Sequence, residues 1–392
     1  MTDADPKAQS IKDTAASVID RHLADLVTLS HAVHATPELC FNETRSAKAV
    51  ADALRAGGLG VTEGAYDLPT AFECRLGKGE LVLAVCAEYD ALPDVGHACG
   101  HNIIAASAVG AGLALAAVAD QIGVQVRVLG TPAEEGGGGK IFMLERGAFD
   151  GVHAAMMIHP WPADRLTGSC LAVSHFDVHF TGREAHASAA PWEGVNALDA
   201  MTVSQVALGL LRQQLPPGDQ VHGVITRGGG AANVIPGSVT GRFMVRSRTI
   251  DALSAAEPRV RACFEAGALA TGCTVTYEEL SPVYSHMEAD PGLLAAYRVN
   301  AERLGRTFEA DDADTPLPTF STDMANVSLA VPTIHPLVRI ETNGAVNHQR
   351  EFAAACITPS ADAAVRDGAV AMAWTAIDAA TDLALRQRLL SA

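Results

Sequence analysis

The chain has 392 residues, of which 48% are hydrophobic and 19% are charged, and this composition excludes a disordered or fibrous protein. The length favours two domains, each large enough to bury its own core. The 45 acidic residues outnumber the 28 basic ones, and the formal net charge of −17 argues against a nucleic acid or an anionic membrane as partner.

The N-terminal segment 1–22 has acidic and polar residues where a signal peptide needs a basic start and an apolar run, so we predict that it leads into a helix. The longest apolar stretch, 103–118, is rich in alanine and too short to span a bilayer, which predicts a buried helix. Eight cysteines are scattered along the chain without an export signal. We therefore expect free thiols and a cytoplasmic protein.

A strand, helix, strand unit is predicted from residue 81 onward. The run LVLAVCA (81–87) is typical of a buried strand, 103–120 has the composition of a helix, and VQVRVLGT (124–131) is the next strand. This order predicts a parallel pair of strands joined by a right-handed crossover. AAMMIHP (154–160) is predicted as a third strand, with His159 near its carboxyl end.

Polar segments follow these strands. EYDALPDVGHACGHN comes after the first strand and TPAEEGGGG after the second. Ligand sites in parallel sheets lie beyond the carboxyl ends of the strands, so we expect both segments to meet at one edge of the sheet, together with His159.

The pattern changes after Gly168, where strands of alternating polarity and two helices follow in the order β, α, β, β, α, β. This order predicts an α+β, ferredoxin-like domain at 172–281, inserted into a domain made of 1–171 and 282–392. The predicted fold class is α/β, with a mostly parallel sheet flanked by helices and one inserted α+β domain.

Side chains that bind borderline divalent metals gather at the predicted edge. Cys99 and His101 lie on either side of Gly100, which removes a side chain from the bend and lets both turn toward one ion. Glu135 and His159 reach the same edge. We therefore predict a metal site in preference to a packing cluster.

The adjacent carboxylates of Glu134 and Glu135 follow an apolar strand. Buried without a cation they would repel each other at a high cost in free energy. Adjacent side chains diverge, so one can bind an ion while the other holds a water molecule, as ligand and general base do in metal-assisted hydrolysis. The alternative is a solvated acidic loop before the glycine run.

Seven segments resemble, in chain order, the M20 metallopeptidases of the amidohydrolase branch M20D: EYDALPDVGHACGHN, GTPAEEG, MMIHP, TGREAHASAAPWEGVNALDA, GGGAANVIPG, STDMANVS and GAVNHQREF. EYDALP and CGHN are most similar to the acylase-like subgroup that contains the aminobenzoyl-glutamate hydrolase B subunit and the β-alanyl-lysine dipeptidases. The resemblance covers most of the chain.

This resemblance implies a site for two divalent metal ions, zinc or manganese, with cobalt or nickel as alternatives. The implied ligands are Cys99, which bridges the two ions, His101, Glu135, His159 and His348. Glu134 would be the general acid and base, and Asp90 would orient a ligand or tune the nucleophile. Glu88 stands where other M20 branches have a metal-binding histidine, and we do not predict it as a ligand.

The resemblance also implies that the inserted domain is a lid and dimerisation domain. In a homodimer, His186 would reach the partner subunit's active site and bind the scissile carbonyl oxygen or a substrate carboxylate. Asn233 would contact the substrate. The alternative is that this asparagine only forms the turn before the IPG sequence. Thr322 and Asp323 would line the pocket.

Eight further histidines have no ligand spacing with an acidic partner, and we expect most of them to be surface or hydrogen-bonded core residues. They are His31, His34, His153, His175, His179, His222, His286 and His335. His97 either supports a ligand or packs at the start of a helix.

The predicted reaction is hydrolysis of the amide bond of a small N-acyl amino acid or dipeptide-like substrate that carries a carboxylate, by attack of a metal-bridging water. The alternatives are an aminopeptidase acting on short peptides and a non-catalytic, metal-stabilised subunit of a hetero-oligomer. The presence of every ligand type and of Glu134 favours an enzyme, and a lid favours small substrates.

Overall fold

A computed structural model of the chain describes residues 6–309 and 317–392. The chain divides into two compact units. The first unit runs to Ser169 and resumes at Met287, and the second unit spans Cys170–His286. The segment 172–281, predicted as an inserted domain, lies within the second unit.

The helices and strands account for most of the described residues. The helices are α1 (Pro6–His34), α2 (Thr44–Ala56), α3 (His101–Ala116), α4 (Ala119–Ile122), α5 (Gly139–Glu145), α6 (Ala197–Arg212), α7 (Ile250–Thr271), α8 (Pro291–Arg303), α9 (Met324–Ser328), α10 (Arg350–Ala355), α11 (Pro359–Thr381) and α12 (Leu383–Leu390). The strands are β1 (Val61–Glu63), β2 (Phe72–Gly77), β3 (Leu81–Ala87), β4 (Val124–Gly130), β5 (Ala154–Met156), β6 (His159–Trp161), β7 (Ser169–Cys170), β8 (Ala172–Thr181), β9 (Ala185–His186), β10 (Gln220–Arg227), β11 (Val234–Ile235), β12 (Ser238–Ser247), β13 (Thr274–Glu279), β14 (Thr319–Phe320), β15 (Thr333–Ile334) and β16 (Leu337–Arg339).

The sheet of the first unit has the strand order β1-β2-β4-β3-β5-β15. Strand β3 pairs in parallel with β4 and β5, and β5 pairs in parallel with β15, while β1 and β2 form an antiparallel edge. Strand β3 has the predicted limits and is buried along its whole length, since all of its side chains are apolar. The predicted parallel strand, helix, strand unit is confirmed.

The prediction of a single third strand over 154–160 is wrong. The structure has two strands there: β5 pairs with β15, and β6 pairs with β16 in a separate two-stranded sheet. Pro160 lies within β6 and has no backbone N–H to donate to a neighbouring strand. His159 therefore lies at the beginning of β6 and not at the end of a longer strand.

Helix α3 is buried from His101 to Leu115. Its alanine, glycine and aliphatic residues make it apolar all round, which is typical of a helix in the centre of a core. Helices α1 and α11 pack against it, and the small Gly110 allows close approach of Leu26 and Ala369. None of the helices in the described ranges combines the length and the hydropathy needed to cross a bilayer.

The second unit is built on an antiparallel sheet with the strand order β10-β12-β8-β13. Helices α6 and α7 pack against each other and against this sheet. Phe243 and Phe264 meet edge to face in its core, with ring centroids 4.7 Å apart. The element order β8, α6, β10, β12, α7, β13 is the predicted one, and the short pair β9–β11 adds to it.

Candidate metal centre

The residues predicted as metal ligands lie together in the first unit. Cys99 and His101 flank the N-terminus of α3, Glu135 follows β4, His159 begins β6, and His348 lies in the loop before α10. Three groups of side chains have ligand atoms within 4.8 Å of one another: Cys99, His101 and His159; Cys99, Glu135 and His348; and His101, Glu134 and Glu135. Cys99, His101 and Glu135 each belong to two of these groups, so the three groups form one continuous cluster.

Two histidines of this cluster are held in place by hydrogen bonds at their Nδ1 atoms. His101 Nδ1 lies 2.9 Å from Asp90 Oδ1, and His159 Nδ1 lies 2.9 Å from the carbonyl oxygen of Pro160. Both partners are acceptors, so each Nδ1 carries a proton and donates it. Nε2 is then the ring nitrogen available to a cation, an arrangement common among metal-binding histidines.

Carboxylates converge on the Nε2 atom of His101. Glu88 Oε2 lies 3.5 Å away, and Glu134 Oε2 and Glu135 Oε1 each lie 3.9 Å away. Within the described ranges, His101 Nε2, Glu88 Oε2 and Glu135 Oε1 have no hydrogen-bond partner although they are buried. Buried acceptors that face one another need a positive charge between them. The donor set therefore fits a divalent cation.

Burial and neighbouring carboxylates shift the pKa values of the groups in the cluster. Burial, followed by the charges of Glu88 and Glu135, raises the pKa of Glu134 well above its ordinary value. Burial alone would lower the pKa of His101, but the adjacent Asp90 carboxylate raises it well above the usual range. Burial also raises the pKa of the Cys99 thiol. A divalent ion bound among these groups would oppose the rise in the pKa of both acids by its own positive charge.

Gly100 permits the close packing of the loop that contains Cys99 and His101. Its φ of +79° is in the left-handed region, and a Cβ atom there would lie 2.7 Å from Cγ of Pro160. Pro160 follows His159 directly. A larger residue at position 100 would thus push apart the two segments that hold the ligands.

We expect Gly100→Ala to weaken metal binding and to lower the thermal unfolding temperature. Gly272→Ala is the matched control because Gly272 also has a positive φ, +75°, but apart from Gly272 and its two chain neighbours no described residue has an atom within 4 Å of the position that a Cβ would take there. The control should lose about 1 kcal/mol through backbone strain and keep wild-type metal affinity. Titration of the metal-free proteins with Mn²⁺ measures the difference, and equal affinities in the two variants would contradict this role for Gly100.

A buried ion-pair network adjoins the cluster and was not predicted. Lys140 Nζ lies 2.5 Å from Glu88 Oε1 and 2.7 Å from Asp323 Oδ1, and the backbone N–H of Lys140 donates to Asp323 Oδ2 at 2.8 Å. All three side chains are fully buried. Asp323, predicted to line the pocket, therefore has both carboxylate oxygens bonded to Lys140. Thr322 is buried too, and its hydroxyl accepts the N–H of Met324 at 3.2 Å.

His348 is the most exposed of the predicted ligands, with 63% of its side chain accessible. Its φ of +72° is unusual for a residue other than glycine, and its N–H donates to the carbonyl of Ala98 at 3.0 Å. Its Nε2 atom lies 4.0 Å from Glu135 Oε2. The backbone bond to Ala98 holds this loop beside Cys99.

His335 is an exception among the eight histidines, most of which we expect at the surface or hydrogen-bonded in the core. It is buried, its ring centroid lies 5.4 Å from that of His159, and its ring nitrogens have no hydrogen-bond partner among the described residues. The reason is the parallel pairing of β5 with β15, because each strand leads into an Ile-His-Pro sequence. The repetition of this tripeptide was the available signal.

His186 and Asn233 lie on neighbouring chain segments of the second unit. His186 pairs with Val234 in the β9–β11 ladder, and the carbonyl of Asn233 accepts the N–H of Ala187 at 3.0 Å. Both side chains are exposed. His186 Nδ1 accepts the N–H of Ser188 at 3.3 Å, so the proton of a neutral ring lies on Nε2.

Comparison with known proteins identifies the family. The model of peptidase family M20/M25/M40 matches residues 84–366. The chain is 38% identical over 391 residues to the Xaa-Arg dipeptidase of Mus musculus, covering 96% of this chain and 90% of the relative. It is 34% identical over 260 residues to the B subunit of the p-aminobenzoyl-glutamate hydrolase of Escherichia coli K12, covering 61% and 54%.

A dinuclear metal-binding peptidase of family M20 from Bacillus subtilis has the same fold, with a TM-score of 0.68 at 20% identity over 91% of this chain and 99% of that chain. The predicted fold class and the resemblance based on motifs are confirmed. The chain belongs to peptidase family M20/M25/M40 and is a hydrolase of peptide and amide bonds.

Proposed function

We propose that this hydrolase uses two divalent metal ions to cleave dipeptides, with N-acyl amino acids as related substrates. The observation that carries the proposal is the convergence of Glu88, Glu134 and Glu135 on the Nε2 atom of His101. The match to the mouse Xaa-Arg dipeptidase extends over nearly the whole chain and supports a dipeptide with C-terminal arginine as the first substrate to test. The E. coli relative is named for the hydrolysis of an amino acid amide, p-aminobenzoyl-glutamate, and this supports an amide bond as the bond that is cleaved.

The two ions would be held by the two ligand groups that share Cys99. One group is completed by His101 and His159, and the other by Glu135 and His348. Thiolate and imidazole favour zinc, while carboxylate and imidazole also accept manganese, cobalt or nickel. Bound divalent ions acidify a water molecule and polarise the substrate carbonyl.

Glu134 is the proposed general acid and base. Its carboxylate takes a proton from the attacking water, whose oxygen adds to the carbonyl carbon of the substrate. Glu134 then delivers the proton to the amine nitrogen as the C–N bond breaks, which leaves a carboxylic acid and a free amine. Asp90 supports this geometry, since Oδ1 holds His101 and Oδ2 accepts the N–H of Glu135 at 2.9 Å.

His186 is proposed to donate a hydrogen bond to the substrate. Because its Nδ1 atom accepts backbone N–H groups, its exposed Nε2–H can donate to the scissile carbonyl oxygen or to the substrate carboxylate. The proposal includes the predicted homodimer, in which His186 acts in the partner subunit's site, together with a lid role for the second unit and a cytoplasmic location. Asn233 is a proposed further substrate contact.

The function is tested by elemental analysis of the purified protein, followed by assay of the chelated and metal-restored protein. We expect two ions per chain, loss of activity on chelation, and recovery with at least one of Zn²⁺, Mn²⁺, Co²⁺ or Ni²⁺. The substrates are alanyl-arginine, an N-acetyl amino acid, aminobenzoyl-glutamate and a tripeptide.

Each outcome of this assay separates the alternatives. Faster cleavage of the tripeptide than of any dipeptide would favour the aminopeptidase. A protein without metal, and without activity after addition of any of the four ions, would favour the non-catalytic subunit.

A further inference from the structure

We infer that Glu43 is a positioning residue for Glu134, because it holds the backbone immediately before the proposed general base. This inference rests on the proposed function. Glu43 lies in the connection between α1 and α2, far in sequence from the metal ligands. Neither the motifs nor the family resemblance pointed to it.

One carboxylate oxygen of Glu43 accepts two backbone N–H groups. Oε1 lies 2.8 Å from the amide nitrogen of Phe41 and 2.9 Å from that of Ala133. The Glu43 residue is fully buried. A buried carboxylate bonded to two amides fixes the distance between the two chain segments that contain them.

Both of these amides belong to residues with unusual backbone geometry. Phe41 and Ala133 each have a φ of +60°, in the left-handed region that residues other than glycine rarely adopt. The carbonyl of Ala133 accepts the N–H of Gly137 at 3.1 Å and that of Gly139 at 3.4 Å. Ala133 is therefore bonded through both its N–H and its carbonyl, and its conformation sets the direction in which the chain enters Glu134.

Other residues of the 38–43 segment contact the same loops. The thiol of Cys40 donates to the carbonyl of Glu135 at 3.2 Å, and the carbonyl of Glu38 accepts the N–H of Ala91 at 2.8 Å. The segment thus supports the backbone beside both Asp90 and the Glu134–Glu135 pair. Among these contacts, only the bond from Glu43 reaches the residue directly before Glu134.

The test compares Glu43→Asp with Glu43→Gln. Aspartate keeps the charge but is one methylene shorter and cannot reach both amides, whereas glutamine keeps the length and an acceptor oxygen. We expect Glu43→Asp to lower kcat about 100-fold, the scale of a displacement of about 1 Å at a catalytic group, with unchanged KM and metal content. Glu43→Gln should keep most of the wild-type kcat.

Hydrogen exchange gives a readout that does not depend on activity. In the metal-free protein, Glu43→Asp should accelerate amide exchange in 132–139, and Glu43→Gln should not. Glu38→Asp is the matched control, because Glu38 lies in the same segment but its carboxylate accepts the N–H groups of Arg45 and Ser46 at the start of α2. This control should lose some stability and keep kcat.

Wild-type kcat in Glu43→Asp would overturn the inference. A loss of kcat in Glu43→Gln or in Glu38→Asp as large as that in Glu43→Asp would also overturn it, since neither of these two variants removes the acceptor at Ala133. Glu134→Gln is measured in parallel. An active Glu134→Gln would refute the proposed base and this inference together, whereas an inactive Glu134→Gln beside a fully active Glu43→Asp would refute the inference alone.

Discussion

Glu134→Gln is expected to lower kcat by about 10²- to 10⁴-fold, the usual contribution of a general acid and base. Glutamine has nearly the same shape as glutamate but cannot take up the proton of the attacking water. The charges of Glu88 and Glu135 oppose ionisation of the buried Glu134 carboxyl. Glutamine needs no buried charge at this position, so Glu134→Gln should leave the stability of the metal-free protein unchanged or increased.

The measurement is steady-state kinetics on a dipeptide at saturating metal, together with elemental analysis of each variant. Glu145→Gln is the control for the same chemical change, because Glu145 is exposed near the end of α5. Unchanged kcat in Glu134→Gln would exclude Glu134 as the base. Loss of a metal ion from that variant would instead assign Glu134 as a ligand.

Lys140→Met is expected to lower the free energy of unfolding by about 3–5 kcal/mol, because it leaves two buried carboxylates without their cation. Burial would lower the pKa of Lys140, but the charges of Asp323 and Glu88 hold it above its ordinary value, so the ammonium stays charged. Methionine fills a similar volume. The loss is therefore electrostatic, and urea unfolding of the metal-free protein measures it.

A second substitution tests that explanation. Glu88→Gln, added to Lys140→Met, removes one of the two unpaired charges and should recover part of the lost stability. Lys48→Met is the control for an exposed ion pair, since Lys48 and Asp52 are 64% and 49% exposed, and it should cost about 1 kcal/mol or less. A loss in Lys140→Met as small as that of the control would contradict the network's role.

Local patterns were enough to predict much of the fold. The limits of β3 were predicted correctly because its apolar run is continuous and ends at a polar segment. The element order of the second unit followed from alternation and helical composition. The break between β5 and β6 was not predicted, since it depends on which strands lie beside them.

The supporting residues of the site required contacts between distant parts of the chain. Lys140 is 52 residues from Glu88 and 183 from Asp323 in sequence, and Glu43 is 90 from Ala133. A lysine in a helical pattern and a glutamate before a helix are ordinary features, and no spacing rule joins them. The motifs predicted the residues that we propose as metal ligands, whereas the buried charges behind them became visible only in the fold.

The burial of α3 on all sides has a consequence for how the enzyme would acquire its ions. His101 is the first residue of this helix, and the core around the helix forms from apolar contacts that need no cation. The polypeptide would therefore fold before it is loaded, unlike a zinc finger, whose metal organises the chain. Ions would then exchange on a finished scaffold. The metal carried at any time would be decided by cellular supply and by ligand preference, and not by the folding process.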